Sequence, residues 1–222
     1  MSTAVDRHQV RRQRQRAAYD RASIHRILDA GWIAHVGFSV RAQPFVIPML
    51  YAREGDALLL HGSLGSRLMR TLGSGVEACV SVALVDGLVL ARSHFNHSMN
   101  YRSVVAYGRA TPIDVPEEKA LGLARLVESL IPGRAGESRP ADAQELAATA
   151  LLRFEIDDAS AKVRSGPPSD TPADLDLPFW AGELPLHPRY AAARPAPDLA
   201  PGSPLPNSLR RLLAEVQAVP AA

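Results

Sequence analysis

The chain has 222 residues, 46% hydrophobic and 22% charged, with 25 Lys plus Arg against 23 Asp plus Glu. Those values suit a globular chain with one sizeable core, and a formal charge of +2 excludes any global electrostatic demand for nucleic acid or an acidic surface. A single cysteine, Cys79, excludes an intrachain disulfide; in the run EACVSVALV it reads as strand packing, in keeping with a reducing, cytoplasmic compartment.

Residues 1–18 carry five arginines before Ala17 with no apolar segment behind them, a pattern of neither a secretory signal nor a membrane anchor. They read as a flexible, solvated arm. Without aromatic interleaving or a recognition motif, the arm does not mark the chain for nucleic acid. No window reaches the length of a membrane-spanning helix, so no membrane partner is expected.

From Tyr19 to Ala30, Ile24, Ile27 and Leu28 form one stripe of a short amphipathic helix that Gly31 ends. Next, WIAHVGFSV puts Trp32, Ala34, Val36, Phe38 and Val40 on one strand face and His35 and Ser39 on the other. PFVIPMLYA follows after a brief RAQ, and ALLLHG after REGD. Connections this short predict an antiparallel meander. After a helix in SRLMRTL, the segments VEACVSVALVDGLVLARS and YRSVVAYGRATPI read as strands, with Asp86-Gly87 as a hairpin signal. PEEKALGLARLVESLI is a helix, with Pro116 in its first turn, Glu117 and Glu118 at the positive dipole end, and Pro132-Gly133 as the stop. ADAQELAATA predicts a shorter helix, and LLRFEI and SAKVRS two further strands.

Beyond Ser165 the composition changes, and twelve of the eighteen prolines fall in the last 58 residues. This region has too few large apolar residues for a core of its own and reads as an extended tail, anchored by Phe179 and Trp180, with a short helix near SLRRLLAEV. The expected organisation is therefore an arm (1–18), one domain (19–186) and a Pro-rich tail (187–222). Six or more short strands, mostly antiparallel, with helices on the rim predict a mainly β, α+β fold built on a small barrel.

The junction HGSLGSRLMRTL carries the chemistry. Leu64, Leu68 and Leu72 recur every four residues, so a helix is expected to begin near Ser63 to Ser66. Small residues before a helix N-terminus let an anion approach unpaired amides, and Arg67 offers a planar fork for phosphate oxygens. Ordinary helix capping explains the same glycines and serines. The Walker ending Gly-Lys-Ser/Thr and the dinucleotide pattern Gly-x-Gly-x-x-Gly are both absent. His61, just before the junction, suits a backbone bond or a cofactor contact. His94 and His97 lack the carboxylates of a metal centre, so no metal site is expected. Ser63, Ser66 and Ser93 lie in no Gly-x-Ser-x-Gly elbow, which argues against a hydrolase.

The ordered set PMLY, LLLHGSLGSRLMRTL, DGLVLARSHFNHSMNYRSVVAYGRA, KVRSGPP and LPFWAGELPL resembles the pyridoxamine 5′-phosphate oxidase-like, FMN-binding split-barrel superfamily. Its nearest likeness is to the flavin-nucleotide-binding branch that includes nitroimidazole-resistance proteins. The resemblance runs from about Ile24 to Leu186. It implies an antiparallel split β-barrel that forms a homodimer with FMN at the subunit interface. Ser66-Arg67 falls where the family's Ser-Arg-Lys grips the FMN phosphate, and His61 on the strand end beside the flavin. Ser103 in YRSVV matches a glutamine position against the cofactor, strand alternation sends Tyr101 to the same face, and Trp180 in WAG resembles the Trp of a WQG segment. Leu68 replaces the lysine, which makes Lys162 or Arg164 the substitute cation. The basic residues of an early strand and the Arg-x-His-Asp-Arg signature are missing, so pyridoxamine phosphate is not the expected substrate.

The resemblance implies an FMN-dependent oxidoreductase acting on a small molecule, with the flavin itself carrying the electron or hydride transfer. The alternative is non-catalytic binding or storage of flavin, haem or deazaflavin.

Overall fold

The computed structural model describes residues 6–217; the first five residues of the arm and the last five of the tail lie outside the described residues. Helix α1 (Arg21–Ala30) begins where the Asp20 carboxylate accepts the Ser23 amide at 2.8 Å, and it buries Ile24, Ile27 and Leu28. It ends at Gly31, where a Cβ would stand 2.7 Å from Val82 and 2.8 Å from the Tyr51 hydroxyl. Only glycine lets the chain turn this close to the wall.

Three strands follow as the expected meander: β2 (Ile33–Val40), β3 (Gln43–Glu54) and β4 (Ala57–Ser63). The β2–β3 turn has two residues, Arg41 and Ala42, both left-handed at φ 49° and 64°, which matches the twist of a tight hairpin. Trp32 departs from the expected inward face. It precedes β2, stays exposed and meets Tyr190 at a ring-centroid distance of 6.1 Å.

After α2 (Arg67–Gly73) come β5 (Glu77–Leu90) and β6 (Ser98–Pro112), then α3 (Pro116–Leu130), α4 (Ala143–Ala148) and β7 (Thr149–Arg164). The Asp86-Gly87 hairpin does not form. β5 runs straight through it, and Asp86 is a bulge whose carboxylate receives the Arg102 guanidinium at 2.7 Å. Gly87 serves close approach instead, since a Cβ there would lie 2.8 Å from the Leu184 carbonyl. Likewise LLRFEI and SAKVRS form one strand, bent by a register shift opposite Tyr107/Gly108.

All pairings are antiparallel, in the order β7-β4-β3-β2-β5-β6, and a β6–β7 ladder joins the two ends. Six strands thereby close on themselves around Val36, Leu58, Leu60, Val80, Val104 and Phe154. Two short strands extend the wall: β1 (Ala17–Ala18) on β7 and β8 (Gly182–Pro185) on β5. α2 plugs one barrel end with Leu68, Met69 and Leu72, while α3 covers Leu59 and Leu151 outside. The tail helix α5 (Asn207–Gln217) docks by Ser208, whose hydroxyl donates to Glu137 at 2.5 Å. Among the described residues, no helix is long and apolar enough to cross a membrane.

Candidate functional site

β4 delivers His61, Gly62 and Ser63 to the mouth of the barrel. Gly62 suits the close packing there, since a Cβ would stand 3.0 Å from the Met69 side chain on α2, which would have to shift. The following turn spends three amides locally: Leu64 donates to the Ala148 carbonyl at 3.2 Å, Gly65 to Ser63 Oγ at 3.3 Å, and Ser66 to the Ser63 carbonyl at 2.9 Å. The helix itself starts at Arg67, later than the leucine spacing predicts. Leu64 is 51% exposed and outside the packed stripe, because the Ser63–Ser66 turn must form first.

Arg70 makes the first bond of the helix, to the Ser66 carbonyl at 3.1 Å, which leaves the Arg67, Leu68 and Met69 amides without intrahelical acceptors. The Ser66 side chain makes no capping bond, and the first turn holds no acidic residue. Arg67 is exposed, with its guanidinium 4.1 Å above the Phe45 ring and no acidic partner among the described residues. The junction therefore combines open amides, a free hydroxyl and a cation, as an anion requires.

His61 stands two residues behind, on the same rung as Leu151. Its Nδ1 is buried with no partner among the described residues, and burial pushes its pKa down. The imidazole is thus held neutral with a lone pair or proton unspent.

Tyr101, Ser103, Lys162 and Arg164 gather elsewhere. Ser103 faces Lys162 and Tyr101 faces Arg164 across alternate β6–β7 rungs, with Arg102–Val163 between them, so all four share the outer face. Ser103 Oγ donates to the Lys162 carbonyl at 3.3 Å. Arg164 is 6% exposed and bonded to Asn100 and to the Gly166 and Pro167 carbonyls at 2.8 and 3.0 Å, with only Nε unpartnered. Its guanidinium fastens the end of β7 rather than opening to solvent. Asn100 passes the contact on to Glu183 of β8 at 2.6 Å. Just before that strand, Trp180 lies against Gly182 and is 68% exposed.

Two sets result, at opposite ends of β7: Ser63 pairs with Thr149, whereas Ser103 pairs with Lys162. Thirteen residues separate those rungs, roughly 40 Å of extended strand. The two sets therefore sit at different ends of the strand. Sequence reasoning missed Asn100, Glu183 and Phe45, since nothing local marks a residue whose partner lies 60 or more positions away or across a turn. His94 and His97 sit together at 6.3 Å, and among the described residues no group of three or more His, Cys, Asp or Glu is placed to hold a metal ion.

Comparison with known proteins bears on this geometry. The family model described as pyridoxamine 5′-phosphate oxidase matches residues 20–163. The flavocytochrome Anf3 of Azotobacter vinelandii is similar at 40% identity, with 93% of this chain and 96% of that one covered and a TM-score of 0.87. An FAD and haem binding protein of Mycobacterium smegmatis is similar at 38% identity, 88% and 96% coverage and a TM-score of 0.85. A candidate 5-nitroimidazole antibiotic resistance protein of Bacteroides thetaiotaomicron, 22% identical over 66% of this chain and 86% of its own with a TM-score of 0.57, shares the fold. No curated protein matches. With its closed antiparallel wall, its rim helices and a family match over well more than half its length, the chain belongs to the pyridoxamine 5′-phosphate oxidase-like, FMN-binding split-barrel superfamily.

Proposed function

We propose that this chain is a flavin-binding protein, FMN or FAD, that acts as a homodimer and holds a haem beside the flavin. The observation that carries the reading is the Ser66-Arg67 junction: three amides without intrahelical acceptors, an uncapped serine and a guanidinium with no acidic partner among the described residues. Two relatives near 40% identity, one a flavocytochrome and one an FAD and haem binder, support it.

The junction binds the flavin phosphate, with Ser63 completing the rim. Because the Tyr101, Ser103, Lys162 and Trp180 set lies far along β7, it serves the flavin of a partner copy related by a two-fold axis. The outer wall suits such a partner. Val46 is 65% exposed, and Ile33 and Val85 lie open on the same barrel face. Lys162 replaces the lysine missing at Leu68, and Arg164 positions that rung from behind.

His61 fits a haem ligand: a buried, unpartnered Nδ1 on an imidazole kept neutral by desolvation is the ligating form. The bound groups supply electron transfer, and the chain anchors them and limits water. Turnover of a small-molecule substrate, the oxidoreductase reading, belongs to the same site.

The visible spectrum of the purified protein tests the proposal. Flavin bands and a Soret band are expected, with His61→Ala losing the second and keeping the first. A colourless protein that also fails to bind FMN and FAD at micromolar concentration sinks it.

A further inference from the structure

The tail helix α5 is fastened by polar bonds rather than by its apolar stripe. Ser208 gives its hydroxyl and its amide to Glu137, at 2.5 and 3.2 Å, and the Arg210 amide closes the first turn on the Pro206 carbonyl at 3.0 Å. Leu209 and Leu213, four residues apart and so on one helix face, join neither of the two buried clusters. They line instead a cleft of about 960 Å³, together with Ile131 after α3 and Leu199 and Leu205 of the tail.

This cleft forms without a core of its own because the chain around it is stiff. Pro195, Pro197, Pro201, Pro204 and Pro206 each fix φ, and two turns close among them, with Leu199 donating to the Ala196 carbonyl at 3.0 Å and Ser203 to the Ala200 carbonyl at 3.1 Å. Five large aliphatic side chains therefore face one space, and covering them gains about 25 cal/mol for each Å² taken from water. Two cations, Arg134 and Arg194, also line it, and neither has an acidic partner among the described residues. The neighbouring Glu137 carboxylate is taken up by Ser208. Among the described residues, no acidic or aromatic side chain lines the cleft. A flat ring would find nothing to stack on, whereas a flexible hydrocarbon chain matches leucine and proline walls and a carboxylate matches a guanidinium fork. The volume falls within the range of small-ligand sites, about 300–1,000 Å³.

We propose that this cleft takes up an aliphatic carboxylate of the fatty-acid type, its chain against Leu209 and Leu213 and its carboxylate met by Arg134 and Arg194. No residue of the Ser66-Arg67 junction lines the cleft, so this second site stands apart from the flavin reading.

The full-length protein as purified is titrated with dansyl-undecanoic acid, followed by dansyl fluorescence, and the bound probe is displaced with laurate and with dodecanol. Micromolar uptake is expected, with laurate displacing the probe at a tenfold or more lower concentration than dodecanol. Arg134→Glu combined with Arg194→Glu should lose tenfold or more in probe affinity, while the charge-matched Arg12→Glu on the arm stays within twofold of wild type. Leu213→Glu should lose uptake and sediment as the wild type does. No uptake by the wild type, equal displacement by laurate and dodecanol, a loss below tenfold in the double arginine variant, or an equal loss in Arg12→Glu overturns the proposal. So does a wild-type oligomer that Leu213→Glu dissociates, which gives the face to a second copy of this chain. The visible spectra of the same samples report on the flavin reading separately.

Discussion

The Arg67 guanidinium lies 4.1 Å above the ring of Phe45, and Phe45 stacks on Phe38 with centroids 5.5 Å apart. The aromatic pair belongs to the β2–β3 hairpin and the cation to α2, so the contact ties the proposed phosphate site to the barrel wall. A cation held over a ring keeps its N–H edge free for another acceptor.

Arg67→Ala is expected to weaken flavin binding by about 1.5–3 kcal/mol, the usual range for a hydrogen bond to a charged group. Unfolding stability should change by less than about 1 kcal/mol, since an exposed cation–π contact is worth about that. Fluorescence quenching of free flavin on titration reads the first quantity, and urea unfolding the second. Unaltered affinity would place the phosphate elsewhere.

The open barrel face makes a second expectation. Val46 and Val85 lie on the outer wall, and Val46→Asp with Val85→Asp would put charge into an apolar contact. Sedimentation should turn from dimer to monomer, with flavin occupancy falling alongside. A double variant that stays dimeric and yellow assigns the interface to another face.

His61 predicts a pH dependence. Burial lowers its pKa from the ordinary value of 6.5, so between the folded pKa and about 6.5 the unfolded chain binds the proton and the folded one does not. Its contribution is present above pH 6.5 and is lost as pH falls toward the folded value. Thermal melts of the cofactor-free protein from pH 7.5 to 5 should show a decline that His61→Gln diminishes. Identical slopes for both proteins would count against the buried, neutral imidazole.

Tyr51 donates its hydroxyl hydrogen to the Leu28 carbonyl at 2.5 Å, joining β3 to the last turn of α1. Tyr51→Phe leaves that buried carbonyl with the Gly31 amide alone, at 3.4 Å, and should cost about 0.5–1.5 kcal/mol. Burial raises the Tyr51 pKa, so no phenolate titration of this residue is expected below the alkaline limit of folding. Chemical denaturation measures the cost, and a loss under about 0.5 kcal/mol would mean that water replaces the bond.

Much of the barrel was legible in the chain. Ala34, Val36 and Phe38 alternate with exposed residues on β2, and the stripe Ile24, Ile27, Leu28 is buried as its spacing predicts. Local patterns of this kind survive folding because each side chain's direction follows from backbone geometry alone. Asp86-Gly87 misled for the converse reason. Turn residues also build bulges, and the choice between them was made by Arg102 and by β8, which lies about a hundred positions later.

The sequence by itself determined the order of strands and helices, the small-residue junction before Arg67 and the family to which the chain belongs. Periodicity, capping chemistry and an ordered set of short motifs are all written within a few residues of one another. Only the tertiary structure decided that Ser63 and Ser103 pair with opposite ends of β7, that Arg164 is occupied by Asn100, and that Arg7 ties the arm to Glu77 and Asp158. Each of those follows from strand register and long-range pairing, which no local pattern encodes.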